Sequence, residues 1–167
     1  MSPPAFRIVL NQNAGTPGIV VLTAAGFRRA KAEITAWPDY EATPLAEVAA
    51  NAEVGCVRLK DESGRFGLGS FKPLGAGYAV HVLLAGLSAR GRLAPSITLT
   101  CATDGNHGRA VAWAARRFGC AAVIFVHATV SQTRVDAIAG FGGGSTYTAL
   151  LGLAGTDYRA IPIVSLA

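Results

Sequence analysis

Ile97-Thr98-Leu99-Thr100-Cys101-Ala102, the turn Thr103-Asp104-Gly105, Asn106 to Phe118, Gly119, and then Ala121-Ala122-Val123-Ile124-Phe125-Val126 decide the fold. The first and last runs are short and apolar with β-branched residues, as buried strands are. The run between them repeats its apolar positions at helical spacing. Gly119 supplies the left-handed residue that closes a helix, and a further helix follows over Ser131 to Ala139 with Ser131 as its cap. Two strands joined by a helix of this length form a βαβ unit. The predicted class is therefore α/β, a parallel sheet built from βαβ units. Ligands in such sheets bind at the carboxyl ends of the strands, which places Thr103 to Gly108 at the candidate site.

Upstream, Asp61 to Gly69 is a glycine-rich loop, and Ser70-Phe71-Lys72 opens a long helix running to about Arg90, with Ser70 as its expected N-cap. Leu74, Tyr78, Val80, Val82, Leu83, Leu84 and Leu87 cover nearly all sides of that helix, which predicts burial. Lys72 then stands at the positive end of a helix dipole among apolar surfaces, a poor place for a cation and a suitable one for a neutral, nucleophilic amine. Cys56 to Lys60 reads as a strand, and Thr43-Pro44-Leu45 as the opening of a short helix through Ala50. Residues 1–40 read as irregular, with turn signals at Asn13-Ala14-Gly15 and Thr16-Pro17-Gly18 and a basic segment at Arg28, Arg29 and Lys31.

Composition removes several classes. The chain has 167 residues, 51% hydrophobic and only 15% charged, where an ordinary domain carries about 25% charged residues. Such a surface calls for further polypeptide packed on it. The net charge of +5 comes from dispersed residues without a basic run, which argues against nucleic acid. Three separated cysteines, Cys56, Cys101 and Cys120, give neither a disulfide framework nor a zinc pair, which fits a cytoplasmic protein. His81, His107 and His127 lack carboxylates at ligand spacing, so no metal is expected, and His81 and His127 read as core residues. No signal peptide and no membrane-spanning run are expected. The loop at Gly105 is neither GxGxxG nor a Walker pattern. On spacing alone, Lys72 also reads as a surface lysine, Asp104 as a helix cap and Asn106 as a turn residue, and these plainer readings prevail.

The order of motifs changes that balance. Thr43-Pro44-Leu45, Lys60-Asp61-Glu62-Ser63, Ser70-Phe71-Lys72 and Gly105-Asn106-His107-Gly108 resemble the motif series of the fold-type II pyridoxal-phosphate enzymes, the tryptophan-synthase-β-like group. Phe66 to Ala76 and Ala102 to Trp113 are most similar to the diaminopropionate ammonia-lyases, with Thr103-Asp104 narrowing the choice from the threonine dehydratases. The resemblance implies that Lys72 bears pyridoxal 5'-phosphate, Asn106 bonds its ring hydroxyl and Phe71 packs nearby. It implies Lys72 and Asp104 as the acid-base pair for α,β-elimination of 2,3-diaminopropionate to pyruvate and ammonia. The implied partners are a small amino-acid substrate and, at full length, further copies in a homo-oligomer.

The resemblance divides the chain into residues 1–90, part of the larger cofactor domain, residues 91–144, part of a smaller βαβ domain, and a tail, 145–167, unlike the family. The family's phosphate loop and its partner for the pyridine nitrogen have no counterpart here, as in a truncated or frame-shifted reading of a longer gene. Gly140 to Thr146 is a candidate phosphate cradle, although a glycine C-cap is the ordinary reading after the helix from Ser131. The alternative to an enzyme is a non-catalytic fragment or small-molecule-binding module of the same fold.

Overall fold

The structure, a computed structural model, describes residues 23–48, 56–94, 96–103, 105–142 and 158–163. The predicted βαβ unit is present: β3 (Thr98–Ala102) and β4 (Ala121–His127) are parallel neighbours, joined by α3 (Asn106–Arg117). Beyond α4 (Gln132–Ala139), β5 (Tyr158–Ile163) pairs with the other edge of β4 in antiparallel sense, so the sheet is mixed, in the order β3-β4-β5.

The core lies between α3 and this sheet. Along β4 burial alternates strictly, with Ala122, Ile124 and Val126 inside, the period-2 signature of a half-covered strand. Against them α3 presents Ala110, Val111, Ala114 and Ala115, side chains small enough for helix and sheet to approach closely. Gly108 shows how closely. A Cβ there would lie 2.5 Å from Thr103 Cγ2 and 3.0 Å from Ile124 Cγ2. At its far end α3 closes in a Schellman motif: the Cys120 N–H donates to Ala115 O at 2.8 Å and the Gly119 N–H to Arg116 O at 3.4 Å, with Gly119 at φ 68°.

The long helix is α2 (Lys72–Ala89), packed against α3. Its Gly77 faces two indoles, where a Cβ would come within 2.9 Å of Trp37 and Trp113. Two expectations about α2 need correction. Its N-cap is Phe71, not Ser70, and the Ser70 hydroxyl is buried without a partner. Pro73 gives the reason: a Ser70 cap would bond the N–H two or three residues on, and the third is a proline without one. Nor is the helix buried all round, since Val82 and Leu83 are about half exposed, at 50% and 49%.

Besides β5, which lies in the stretch read only as a tail, a helix and a strand escaped the sequence reading. Residues within the segment read as irregular form α1 (Ala24–Thr35), capped by Thr23, whose Oγ1 accepts from the Gly26 N–H at 3.0 Å. The helix expected from Thr43 is instead β1 (Leu45–Val48), paired antiparallel with β2 (Val57–Lys60). Leu-Ala-Glu-Val favours helix locally, but the ladder to β2 wins, as tertiary pairing commonly does over propensity. The turn signals near Asn13 and Thr16, and Ala49 and Ala50, lie outside the described residues. His81 and His127 are partnered as expected but only half-buried, not core: His81 Nδ1 lies 3.2 Å from Glu33 Oε1, and His127 Nδ1 2.8 Å from Thr129 Oγ1. Among the described residues no helix is long and apolar enough to cross a membrane.

Candidate active site

The loop that delivers Lys72 is tied down by one buried guanidinium. Arg65 is 4% exposed and donates through Nε to Glu62 Oε2 at 2.8 Å, through Nη1 to Glu41 O at 2.6 Å and through Nη2 to Thr43 Oγ1 at 2.9 Å. The Thr43 hydroxyl donates to Glu62, closing the knot. Hydrogen bonding from Arg65, aided by Thr43, holds the Glu62 carboxyl down at about 2, against the opposing effect of burial. The knot joins the start of β1, the end of β2 and the short 3₁₀ turn Arg65–Gly67. Phe66 within that turn has φ 47°, a strained conformation for a residue with a Cβ, and its ring stacks on Trp113 with centroids 4.9 Å apart. After Gly67 and Gly69, both at positive φ, the chain enters α2.

Lys72 is the first residue of α2 and is exposed, with Nζ 5.1 Å from the centroid of the Phe71 ring. Phe71 is 58% exposed. The expectation of a lysine held among apolar surfaces is thus not met by the described residues, because the flank of α2 beside it is uncovered. No carboxylate among the described residues pairs with Lys72.

The other predicted site residues lie at the start of α3. Asn106 is its first residue and is exposed; Gly105 is the N-cap and offers no side chain, so among the described residues no side chain caps the N–H groups of the first turn. The Thr103 N–H donates to Phe125 O at 2.8 Å, and Thr103 Oγ1 accepts from the Gly105 N–H at 3.3 Å, which fixes the turn. Asp104 lies outside the described residues. Asn106, Arg109, Thr133 and Arg134 help to line a cavity of about 350 Å³. Its described lining holds two guanidiniums and no carboxylate beside the positive end of a helix dipole, an environment for an anionic group. Gly140 ends α4 in right-handed conformation at φ −60° and leads into a 3₁₀ turn, Gly140–Gly142, rather than the left-handed glycine cap expected there, while Gly143 to Thr146 lie outside the described residues.

Lys72 and Asn106 therefore both stand exposed at the first turns of two helices that pack on one another, with Phe71 beside the lysine. Sequence reasoning missed Arg65, Glu62 and Thr43 as the brace of this arrangement. The available signal was an arginine inside a glycine-rich loop, where nothing apolar would hold it unless a carboxylate did.

The chain matches the pattern of the family described as pyridoxal-phosphate dependent enzyme over residues 36–159, reaching past Gly144, where the motif resemblance ends. The diaminopropionate ammonia-lyase of Salmonella typhimurium is 39% identical over 131 residues, 68% of this chain and 32% of that protein. The crystal structure of Escherichia coli diaminopropionate ammonia lyase in apo form superposes with a TM-score of 0.66 at 35% identity, over 72% of this chain and 36% of that one. The same enzyme in complex with an aminoacrylate-PLP azomethine reaction intermediate gives 0.63 at 37% identity, over 72% and 33%. The chain thus spans about a third of the length of the curated relative it matches.

Proposed function

Because the chain belongs to the pyridoxal-phosphate dependent enzyme family, we propose that it carries the lysine-bearing part of an ammonia-lyase that converts 2,3-diaminopropionate and water to pyruvate and two molecules of ammonia. The cofactor is pyridoxal phosphate, as in the family and as in the related lyase solved with its reaction intermediate. When bound, it withdraws electrons from the substrate's α-carbon.

The observation that carries this reading is the family match over residues 36–159, which spans both Lys72 and Asn106, each exposed as the first residue of its helix, α2 and α3. The donor chemistry fits the cofactor: a primary amine with no carboxylate partner among the described residues can reach an aldehyde, and a side-chain amide can donate to a ring oxygen. In this proposal Lys72 holds the cofactor, Asn106 orients its ring through the hydroxyl and Phe71 packs beside it. Lys72 or Asp104 removes the α-proton, according to the configuration of the substrate, and the β-amine leaves as ammonia. The guanidiniums of Arg109 and Arg134, with the first-turn N–H groups of α3, suit the substrate's carboxylate. The coverage of about a third of the relative leaves the alternative, a non-catalytic binding module of the same fold.

Titration of the purified protein with pyridoxal phosphate, followed by visible absorbance, tests the reading. A new band that Lys72→Ala abolishes is expected; a band retained in that variant, or no band in the parent, overturns it.

A further inference from the structure

The far end of α3 carries charge for which the site at its start has no use. Arg116 and Arg117 end the helix, about 15 Å from Asn106 at 1.5 Å per residue. Helical spacing sets Trp113 on the same side as both. Phe66, Trp113 and Phe141 join the two arginines around a cavity of about 460 Å³, within the size range of small-molecule sites. Arg116 is exposed and the other four are half-buried. The Arg117 guanidinium lies over three rings, 5.0 Å from the centroid of Trp37, 5.6 Å from Trp113 and 5.8 Å from Phe118. Among the described residues its Nε is buried with no hydrogen-bond partner, and no carboxylate pairs with either arginine. The negative end of the helix dipole favours cations in a last turn, but that alone is met by heads standing in water. It does not account for a guanidinium drawn over ring faces beside a hollow. Ring faces hold such a cation and supply no hydrogen-bond acceptor, so its forked donors stay open to an anion.

We propose that this cavity binds a small aromatic phosphate, at a site separate from Lys72: the phosphate meets the guanidiniums of Arg116 and Arg117, and the planar ring lies against Trp113 and Phe141. The lining matches such a ligand part by part. Two adjacent guanidiniums balance a dianion, and arginine meets phosphate oxygens through paired N–H donors. The three aromatic side chains of the lining offer a planar ring surfaces for offset or edge-to-face contact, which an aliphatic phosphate would use less well. The inference does not depend on whether Lys72 binds pyridoxal phosphate.

Phenyl phosphate is the probe, because it has the ring and the phosphate but no aldehyde to react with a lysine. Titrated into the full chain and followed by calorimetry and tryptophan fluorescence, it should bind with a Kd at or below about 1 mM. Inorganic phosphate and benzyl alcohol should each bind at least tenfold more weakly. Arg116→Ala should weaken phenyl phosphate about tenfold and leave the thermal melt unchanged, since the residue is exposed. Phe141→Ala should weaken phenyl phosphate but not inorganic phosphate, and Lys72→Ala should change neither. Absence of saturable binding, equal affinity for inorganic phosphate, or full affinity in either Arg116→Ala or Phe141→Ala overturns the inference. Binding lost in Lys72→Ala or in Arg134→Ala also overturns it, by moving the anion to the start of α2 or to the cavity at the start of α3.

Discussion

Gly108→Ala tests whether the close seating of α3 on the sheet holds the candidate site in place. In a helix, alanine is ordinarily the better residue by up to about 1 kcal/mol. Here the added Cβ would lie 2.5 Å from Thr103 Cγ2, 3.0 Å from Ile124 Cγ2 and 3.3 Å from Ile138 Cδ1, against an optimum of about 3.5–4.0 Å. Ile124 and Ile138 are both 0% exposed and cannot turn towards solvent, so α3 itself must move. Overpacking of this kind costs about 1–3 kcal/mol, and three simultaneous contacts in a closed core belong at the upper end. Set against the propensity gain, the net loss is about 2 kcal/mol, or a fall in Tm of about 4–8 °C for a chain of this size. Gly86→Ala is the paired control: it lies within α2 with nothing inside 4 Å of its Cβ, and should raise Tm by about 1–4 °C. Thermal melts by circular dichroism decide it. If Gly108→Ala melts at or above the parent temperature, the packing account of α3 is wrong.

Arg65→Ala should cost about 3 kcal/mol in urea denaturation, because it leaves the half-buried Glu62 carboxylate without its principal partner, and Arg65→Lys should recover less than half, lacking the forked donor set. The pH dependence follows in sign: with the folded-state Glu62 held down at about 2, its stabilising contribution is fully present above the ordinary value of 4.5 and declines as pH falls towards 2. Denaturant midpoints at pH 7, 4.5 and 3 should show that decline in the parent and a shallower one in Arg65→Ala; equal slopes would contradict it. Ser70→Ala removes a buried hydroxyl without a partner and should leave stability unchanged or raise it by up to about 1 kcal/mol, whereas a loss above 1 kcal/mol would mean the hydroxyl is bonded after all.

The βαβ unit was legible because its elements differ plainly in pattern: a short continuous apolar run with β-branched residues over Ala121 to Val126, a helical stretch from Asn106 to Arg117, and between them a glycine, 119, which takes positive φ. Lys72 and Asn106 were legible as helix starts for the same reason. What could not be read depended on partners distant in sequence. Leu45 to Val48 are reasonable helix formers until β2 offers a ladder, beginning at Val57 after the intervening chain. α1 has no buried residue and so no apolar stripe to announce it, only the cap at Thr23. Arg65 joins Glu41, Thr43 and Glu62, a knot whose members are individually ordinary. The apolar circumference of α2 was read correctly as a residue pattern, but the burial inferred from it requires a layer that the described residues do not supply.

Lys72 is the residue proposed to hold pyridoxal phosphate in this chain. Borohydride reduction of the protein in the presence of the cofactor, followed by peptide mapping, tests it most directly. A reduced adduct is expected at Lys72, on the peptide containing Ser70-Phe71-Lys72. An adduct on Lys60 instead, or on no lysine, would contradict it.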